Sequence, residues 1–199
     1  MTNEVKKFFV VFEGLDLAGK TTIVNTLADL KKGISIKSPA IPFSDITQSV
    51  LERTTPMASF CFFLASNLQT SSQALNLLNS ENVFCDRYIF STIAYHAARQ
   101  QVPFSKMMEL AKPFLDIIAM PNFVIFLSLE RKAQLARYKE RKPEKEFQQR
   151  LMFSETFQRN LLESFMGIIK LTKVPYLEIN TSARSISETI EEICVFCSL

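Results

Sequence analysis

The segment Gly14-Leu15-Asp16-Leu17-Ala18-Gly19-Lys20-Thr21 carries two glycines, a lysine and a hydroxyl at the spacing G-x-x-x-x-G-K-[ST]. Each position has a chemical reason. Gly14 and Gly19 let the backbone bend, so that its N–H groups turn inward onto phosphate oxygens. The helix that follows, with Thr22 in its first turn, points its positive dipole end at the same anion. Lys20 reaches the β- and γ-phosphates, and the Thr21 hydroxyl is placed to ligate Mg2+. The expectation is a loop that grips ATP. A GTPase would add a downstream D-x-x-G switch and an N-K-x-D base-reading motif. Neither occurs beyond the Asp16-Leu17-Ala18-Gly19 inside the loop itself.

Two further groups of residues bear on the chemistry. Glu13 and Asp16 place acids on either side of the first glycine. Asp86 and Arg87 close the apolar run Asn82-Val83-Phe84-Cys85 and lead into Tyr88-Ile89-Phe90-Ser91-Thr92-Ile93-Ala94-Tyr95. A carboxylate ending a strand beside the loop is placed to direct magnesium. An arginine next to it projects over the C-terminal edge of the sheet, where ligands bind in open α/β folds. Helix capping for Asp16 and a surface ion pair for Arg87 are the structural alternatives.

These groups need a frame. Lys7 to Phe12 is an uninterrupted apolar run, as expected of a buried parallel strand. Further short strands are expected at 34–38, 82–85, 122–127 and 175–179. Helices are expected at 21–32, 43–53, 56–79, 88–100, 103–119, 130–140, 146–171 and 185–196. Strands alternating with helices predict an α/β fold with a parallel sheet and right-handed crossovers. Repeats, low-complexity tracts and interdomain linkers are not visible, so residues 1–199 read as a single domain.

The bulk numbers agree. A length of 199 residues at 47% hydrophobic content supports one full core. The net charge of +3 is spread without blocks of like charge, which argues against nucleic acid as a partner. Stretches long and apolar enough for a membrane span are not visible, nor are the marks of a signal or transit peptide, so the cytoplasm is the expected location. Cys194 and Cys197 form a C-x-x-C; a metal half-site and plain core packing in a reducing compartment are both open, with packing favoured.

With these motifs in place the chain resembles the thymidylate kinase family. The start F-E-G-x-D-x-A-G-K-T-T and the segment D-R-Y-x-x-S-x-x-A-Y carry the resemblance, which spans essentially the whole chain. It implies a P-loop NTPase three-layer sandwich with a five-stranded parallel sheet and a short lid. It implies transfer of the γ-phosphoryl group of MgATP to dTMP, giving dTDP, or to a related deoxynucleoside monophosphate, usually by a homodimer. By position, Asp16 falls near the acceptor sugar and phosphates, Arg87 on the acceptor phosphate, and Ser91 and Tyr95 beside the substrate. Glu13 would act on magnesium through water, together with Thr21 and Asp86.

The resemblance also directs attention to a lid at about 137–150. The P-loop slot that carries an arginine in some members is Leu17 here. The missing positive charge is therefore expected from Arg137 and Arg141, with Arg150 as a further candidate. A solvated basic helix face is the alternative for that stretch.

The base pocket departs from the family. The register set by Ala65-Ser66-Asn67 puts Leu64 and Leu68 where the family has a stacking aromatic and, four residues later, a base-reading arginine. Phe60, Phe63, Gln69 and Gln73 are nearby substitutes. Lys37 or Arg53 would supply charge after the second strand, and His96 reads as a pocket-edge residue. Two other functions remain open at this stage. A deoxynucleoside kinase would want a carboxylate after the second strand, where Ser38-Pro39 stand. A catalytically weakened nucleotide-binding paralogue is suggested by Leu17, Leu64 and Leu68.

Overall fold

The computed structural model describes residues 7–141 and 154–199, with the side chain of Arg141 outside the described set. The expected segment 142–153, which includes most of the lid and Arg150, lies outside it as well.

The described strands are β1 (Phe9–Gly14), β2 (Ile34–Lys37), β3 (Val83–Asp86), β4 (Phe123–Ser128) and β5 (Tyr176–Asn180). They form one sheet in the order β2-β3-β1-β4-β5, and every pairing is parallel. The helices are α1 (Lys20–Leu30), α2 (Phe43–Arg53), α3 (Pro56–Leu77), α4 (Ile89–Gln100), α5 (Phe104–Leu115), α6 (Arg131–Arg141), α7 (Glu155–Thr172) and α8 (Ile186–Cys197). Each expected element has a counterpart among the described residues; the helix expected over 103–119 ends at Leu115, and the one expected over 146–171 begins, as described, at Glu155 behind the N-cap Ser154, its expected first residues lying outside the described set.

The sheet is buried on both faces, and the strand period of two sorts its side chains between two cores. Phe9, Val11, Val83, Cys85, Val124 and Phe126 pack on the side of α3, α4, α5 and α7. Val10, Phe12, Phe84, Ile125 and Leu127 pack on the side of α1 and α8. Asn82 and Asn122 pin the start of β1 by accepting hydrogen bonds from the N–H groups of Phe8 (2.9 Å) and Phe9 (2.8 Å).

The register then sets the site. Phe12 lies opposite Asp86, Asp86 opposite Lys37, and Gly14 opposite Leu127. The loops after β1, β2 and β3 therefore leave the sheet at one level, on its C-terminal edge, beside the point where the strand order reverses. Gly14 is required there. Its φ is +129°, and a Cβ on it would meet the Leu127 carbonyl oxygen at 2.1 Å.

Candidate active site

The loop after β1 wraps the N-terminus of α1. Gly19, at φ +89°, is the residue that turns the chain into the helix, and Leu17 is also left-handed at φ +70°. Lys20 is buried, and its Nζ donates to the carbonyls of Gly14 (3.1 Å) and Leu15 (2.7 Å). Burial, aided by the nearby Arg87 charge, pulls its pKa down to about 8. The ammonium thus folds back over its own loop, at the place where an incoming phosphate would collect it. Leu15 itself is buried, and its N–H donates to the Leu127 carbonyl.

Thr21 and Asp86 meet at the mouth of the loop, where the Thr21 hydroxyl donates to Asp86 Oδ2. Asp86 is buried, yet its Oδ1 has no hydrogen-bond partner among the described residues. A buried carboxylate oxygen left unsatisfied is costly, and the adjoining donor set is all hard oxygen. That set fits Mg2+, which is bound through one or two protein oxygens plus waters and phosphates.

Glu13 makes no direct contact with Thr21 or Asp86. Its side chain points to the opposite face of the sheet edge and is fully buried. There it accepts the backbone N–H groups of Tyr88 (2.8 Å) and Ser91 (3.1 Å) and the Ser91 hydroxyl (2.5 Å). It therefore closes the first turn of α4, where free N–H groups and the helix dipole favour an acceptor. Burial outweighs these bonds and the Arg87 charge, raising its pKa to about 7.

Arg87 leaves β3 with φ +69°, its N–H donating to the Phe12 carbonyl (3.0 Å). This left-handed turn aims its guanidinium across the sheet edge. One nitrogen donates to Ser91 (3.1 Å), the other to Asp16 and to the Tyr95 hydroxyl (3.3 Å), and the group lies 5.0 Å from the Tyr95 ring centre. Burial alone would raise the Asp16 carboxyl, but the charges of Arg87 and Lys20 hold it below the usual carboxylate range. Asp16 nonetheless keeps 47% of its side chain exposed, so it remains available to a ligand.

Asp16 and Arg87 form the floor of a cavity of about 270 Å3. Lys37, Ser38 and Pro39 line one wall, Ser91, Thr92, Tyr95 and His96 another. Tyr88 ahead of α4, Thr47 and Leu51 of α2, Phe63 of α3, Arg99 of α4, and Phe157 and Gln158 of α7 complete it. A second cavity of about 260 Å3 lies on the other side of the loop, lined by Leu17, Ala18, Gly19 and Thr22 and by Arg137, Thr181 and Ser185. The glycine loop separates the two.

Several expected residues stand elsewhere. Leu64 is buried in the core beneath α3, and Leu68 packs against the same core. Phe63 lines the cavity instead, edge-on to His96 at 5.4 Å. The expected register on α3 is one residue out: a helix turns about 100° per residue, so the face at Phe63 and Asn67 reaches the cavity region while Leu64 rotates into the core. Arg53 is not among the cavity residues. Arg137 does not line the first cavity. Its guanidinium donates to the Leu17 carbonyl (3.0 Å), the Thr181 hydroxyl (3.3 Å) and the Thr181 carbonyl (2.6 Å), on the side of the second cavity. The side chains of Arg141 and Arg150 lie outside the described residues.

Sequence reading missed Thr92, Arg99, Phe157 and Gln158. Arg99 had a signal, since it follows Tyr95 by one helical turn and so shares its face. Phe157 and Gln158 had none, because their place depends on how α7 crosses α4.

The comparisons with known proteins bear on this geometry. The family model described as thymidylate kinase matches residues 12–193. This chain belongs to the thymidylate kinase family. A probable thymidylate kinase of Picrophilus torridus is 29% identical over 180 residues, covering 86% of this chain and 87% of its own. A thymidylate kinase of Leptospira interrogans is 31% identical over 156 residues, covering 71% and 73%. Among solved structures, the thymidylate kinase of Candida albicans superposes with a TM-score of 0.77 at 21% identity, covering 97% of this chain and 92% of that one. Thymidylate kinases are phosphotransferases that use ATP to phosphorylate dTMP.

Proposed function

We propose that this protein transfers the γ-phosphoryl group of ATP to dTMP. The observation that carries this reading is the Asp16–Arg87 pair, which belongs at once to the phosphate loop and to the floor of the neighbouring cavity. ATP phosphates in the loop and an acceptor phosphate on Arg87 would then meet across Asp16 without crossing solvent. In-line transfer needs such positioning plus charge on the transferring oxygens.

Lys20 would move from the Gly14 and Leu15 carbonyls onto the β- and γ-phosphates. Thr21 and Asp86 would hold Mg2+, which supplies electrostatic stabilisation of the phosphates when bound. The donor nucleoside would lie along Leu17, Gly19, Thr22 and Arg137, since the second cavity opens from the back of the loop. Phe63 offers the flat apolar face for the acceptor base, in place of the leucines, and Lys37 adds charge at the rim. With Leu17 uncharged and Arg137 tied to the Leu17 and Thr181 carbonyls, we assign the remaining positive charge to Arg141, whose side chain lies outside the described residues.

A homodimer through α3 accords with a heptad stripe on that helix. Cys61, Ala65, Ser72 and Leu75 share that face at heptad spacing, and Leu75 is 52% exposed. Described residues include no helix long and apolar enough to cross a membrane. The described cysteines are free thiols, which suits a reducing compartment such as the cytoplasm.

The test is MgATP turnover with dTMP, other deoxynucleoside monophosphates and thymidine, read as acceptor-dependent ADP release. Turnover with dTMP is expected. Turnover with thymidine in its place would indicate a deoxynucleoside kinase, and ATP binding without acceptor-dependent turnover would indicate a weakened paralogue.

A further inference from the structure

Arg87 is held by β1 from both sides. Its own N–H donates to the Phe12 carbonyl (3.0 Å), and the next N–H along the chain, that of Tyr88, donates to Glu13 Oε1 (2.8 Å). Two consecutive residues of β1 thus bracket the left-handed turn at φ +69°. A residue with a side chain adopts that conformation only where its surroundings impose it.

Glu13 reaches the guanidinium as well, through Ser91. Arg87 Nη1 lies 3.1 Å from Ser91 Oγ, and a guanidinium nitrogen can only donate. Ser91 Oγ must therefore accept, which leaves its single proton for another partner. That partner is Glu13 Oε2, at 2.5 Å. The other carboxylate oxygen, Oε1, is filled by the N–H groups of Tyr88 and Ser91, so the carboxylate has one fixed orientation. Every bond of the relay runs one way, from Arg87 to Ser91 and from Ser91 to Glu13.

The relay ends on the side chain that would meet the acceptor. Arg87 Nη2 donates to Asp16 and to the Tyr95 hydroxyl, so three acceptors fix the guanidinium plane. Three of its five N–H groups are engaged among the described residues, and two remain, the number that a bidentate grip on a phosphate uses. Glu13 itself addresses no ligand, because it is fully buried and lines neither cavity.

We infer that Glu13 is the positioning residue of Arg87: its carboxylate draws the Ser91 proton away from the guanidinium and so keeps the arginine aimed at the acceptor phosphate. This rests on the reading of Arg87 given above and adds a role for a buried carboxylate that touches neither substrate nor metal-directed groups. Were the Ser91 hydroxyl reversed, a donor would face a donor, and the buried bond to Arg87 would be lost.

Glu13→Gln makes that reversal. The glutamine oxygen still accepts from Tyr88 and Ser91, but its amide donates to Ser91 Oγ and turns the hydroxyl proton towards Arg87. The experiment compares the wild type, Glu13→Gln, Ser91→Ala and the double variant at pH 8, where the Glu13 carboxyl, raised to about 7 by burial, is mostly ionised. It measures KM for dTMP and for ATP, and Ki for thymidine, a competitor that lacks the phosphate. Glu13→Gln is expected to raise KM for dTMP by about tenfold, the worth of one hydrogen bond to a charged group. KM for ATP and Ki for thymidine should stay within about twofold of the wild type. Ser91→Ala should show a similar loss for dTMP, and adding Glu13→Gln to it should cost nothing further, because the relay is already cut. A carboxylate that served only to cap α4 would weaken dTMP and thymidine alike, and its loss would add to that of Ser91→Ala. Either result, or an unchanged KM for dTMP in Glu13→Gln, would overturn the inference. A wild type that phosphorylates a different deoxynucleoside monophosphate would overturn the dTMP reading alone, since the same ratios are then read with that acceptor.

Discussion

Glu13 and His96 are buried on the same side of the sheet with pKa values displaced in opposite directions, and the pair makes a worked prediction about stability. Glu13 stands at about 7 against 4.5 for a free carboxyl, and His96 at about 4 against 6.5 for a free imidazole; burial is the leading cause of each. Between pH 4.5 and 6.5 the folded chain holds a proton on Glu13 and none on His96. The unfolded chain holds one on His96 and none on Glu13. The counts are equal, so this pair adds no slope to stability in that window.

Removing one partner exposes the other. In Glu13→Gln the unfolded chain binds the extra proton, so stability should rise with pH by about 1.4 kcal/mol per pH unit, or about 3 kcal/mol across the window. Glutamine keeps the geometry, since its oxygen can accept from Tyr88 and Ser91 and its amide can donate to the Ser91 hydroxyl. In His96→Asn the folded chain binds the extra proton, and stability should fall with the same steepness. Urea unfolding of the three proteins at half-unit steps from pH 4.5 to 6.5 reads these slopes directly. Parallel curves for all three, or a falling curve for Glu13→Gln, would refute the reasoning. A constant offset between them would not, because the slopes alone carry the argument.

Other expectations follow from the same geometry. Asp86→Asn should lower kcat by roughly a hundredfold or more and raise the Mg2+ concentration needed for half-maximal rate, with the unfolding midpoint little changed. Arg141→Ala should reduce kcat by orders of magnitude at near-constant stability, and unchanged turnover would remove that residue from the mechanism. Arg137→Ala should act mainly on the KM for ATP, because its guanidinium lies on the donor-side cavity; an equal loss in kcat and kcat/KM would place it at the transferring phosphoryl instead. Leu75→Glu should convert a dimer to monomers in sedimentation velocity, since it buries a charge in the proposed α3 seam.

The frame was legible because it rests on short-range patterns. An apolar run, a glycine, and a helical stripe specify a parallel strand and its crossover wherever they occur, and each of the elements expected in the described residues is there. The turn from β1 into α1 was legible for the same reason: Gly14, Gly19, Lys20 and Thr21 are contiguous, and the left-handed glycines and helix start that the motif predicts are there. The cavity wall was not. Leu64 and Phe63 are neighbours in sequence, and one helical step decides which is core and which is wall. That step is fixed by how α3 packs on α4 and β2, through contacts such as Asn67 with Thr92, which no local pattern shows. Glu13 illustrates the same limit in a strand. Its alternation places it opposite Phe12, away from Asp86, but only the path of α4 supplies the N–H groups that claim it.

Arg87 joins these two kinds of information. Its place after Asp86 is a local motif, but its reach depends on a left-handed turn held by the Phe12 carbonyl, and hence on the β1–β3 register. The same register puts Asp86 within reach of Thr21. The carboxylate proposed for the metal and the arginine proposed for the acceptor phosphate are therefore consecutive residues, one turned to Thr21 and the other to Asp16 and the neighbouring cavity. That arrangement lets Asp16, at the loop's edge, touch both Arg87 and the cavity floor while Lys20 remains beneath it. A substitution that shifts the β1–β3 register would accordingly disturb donor and acceptor binding together. One at Gly14 should do so most severely, because any side chain there drives into the Leu127 backbone and pushes β4 away from β1.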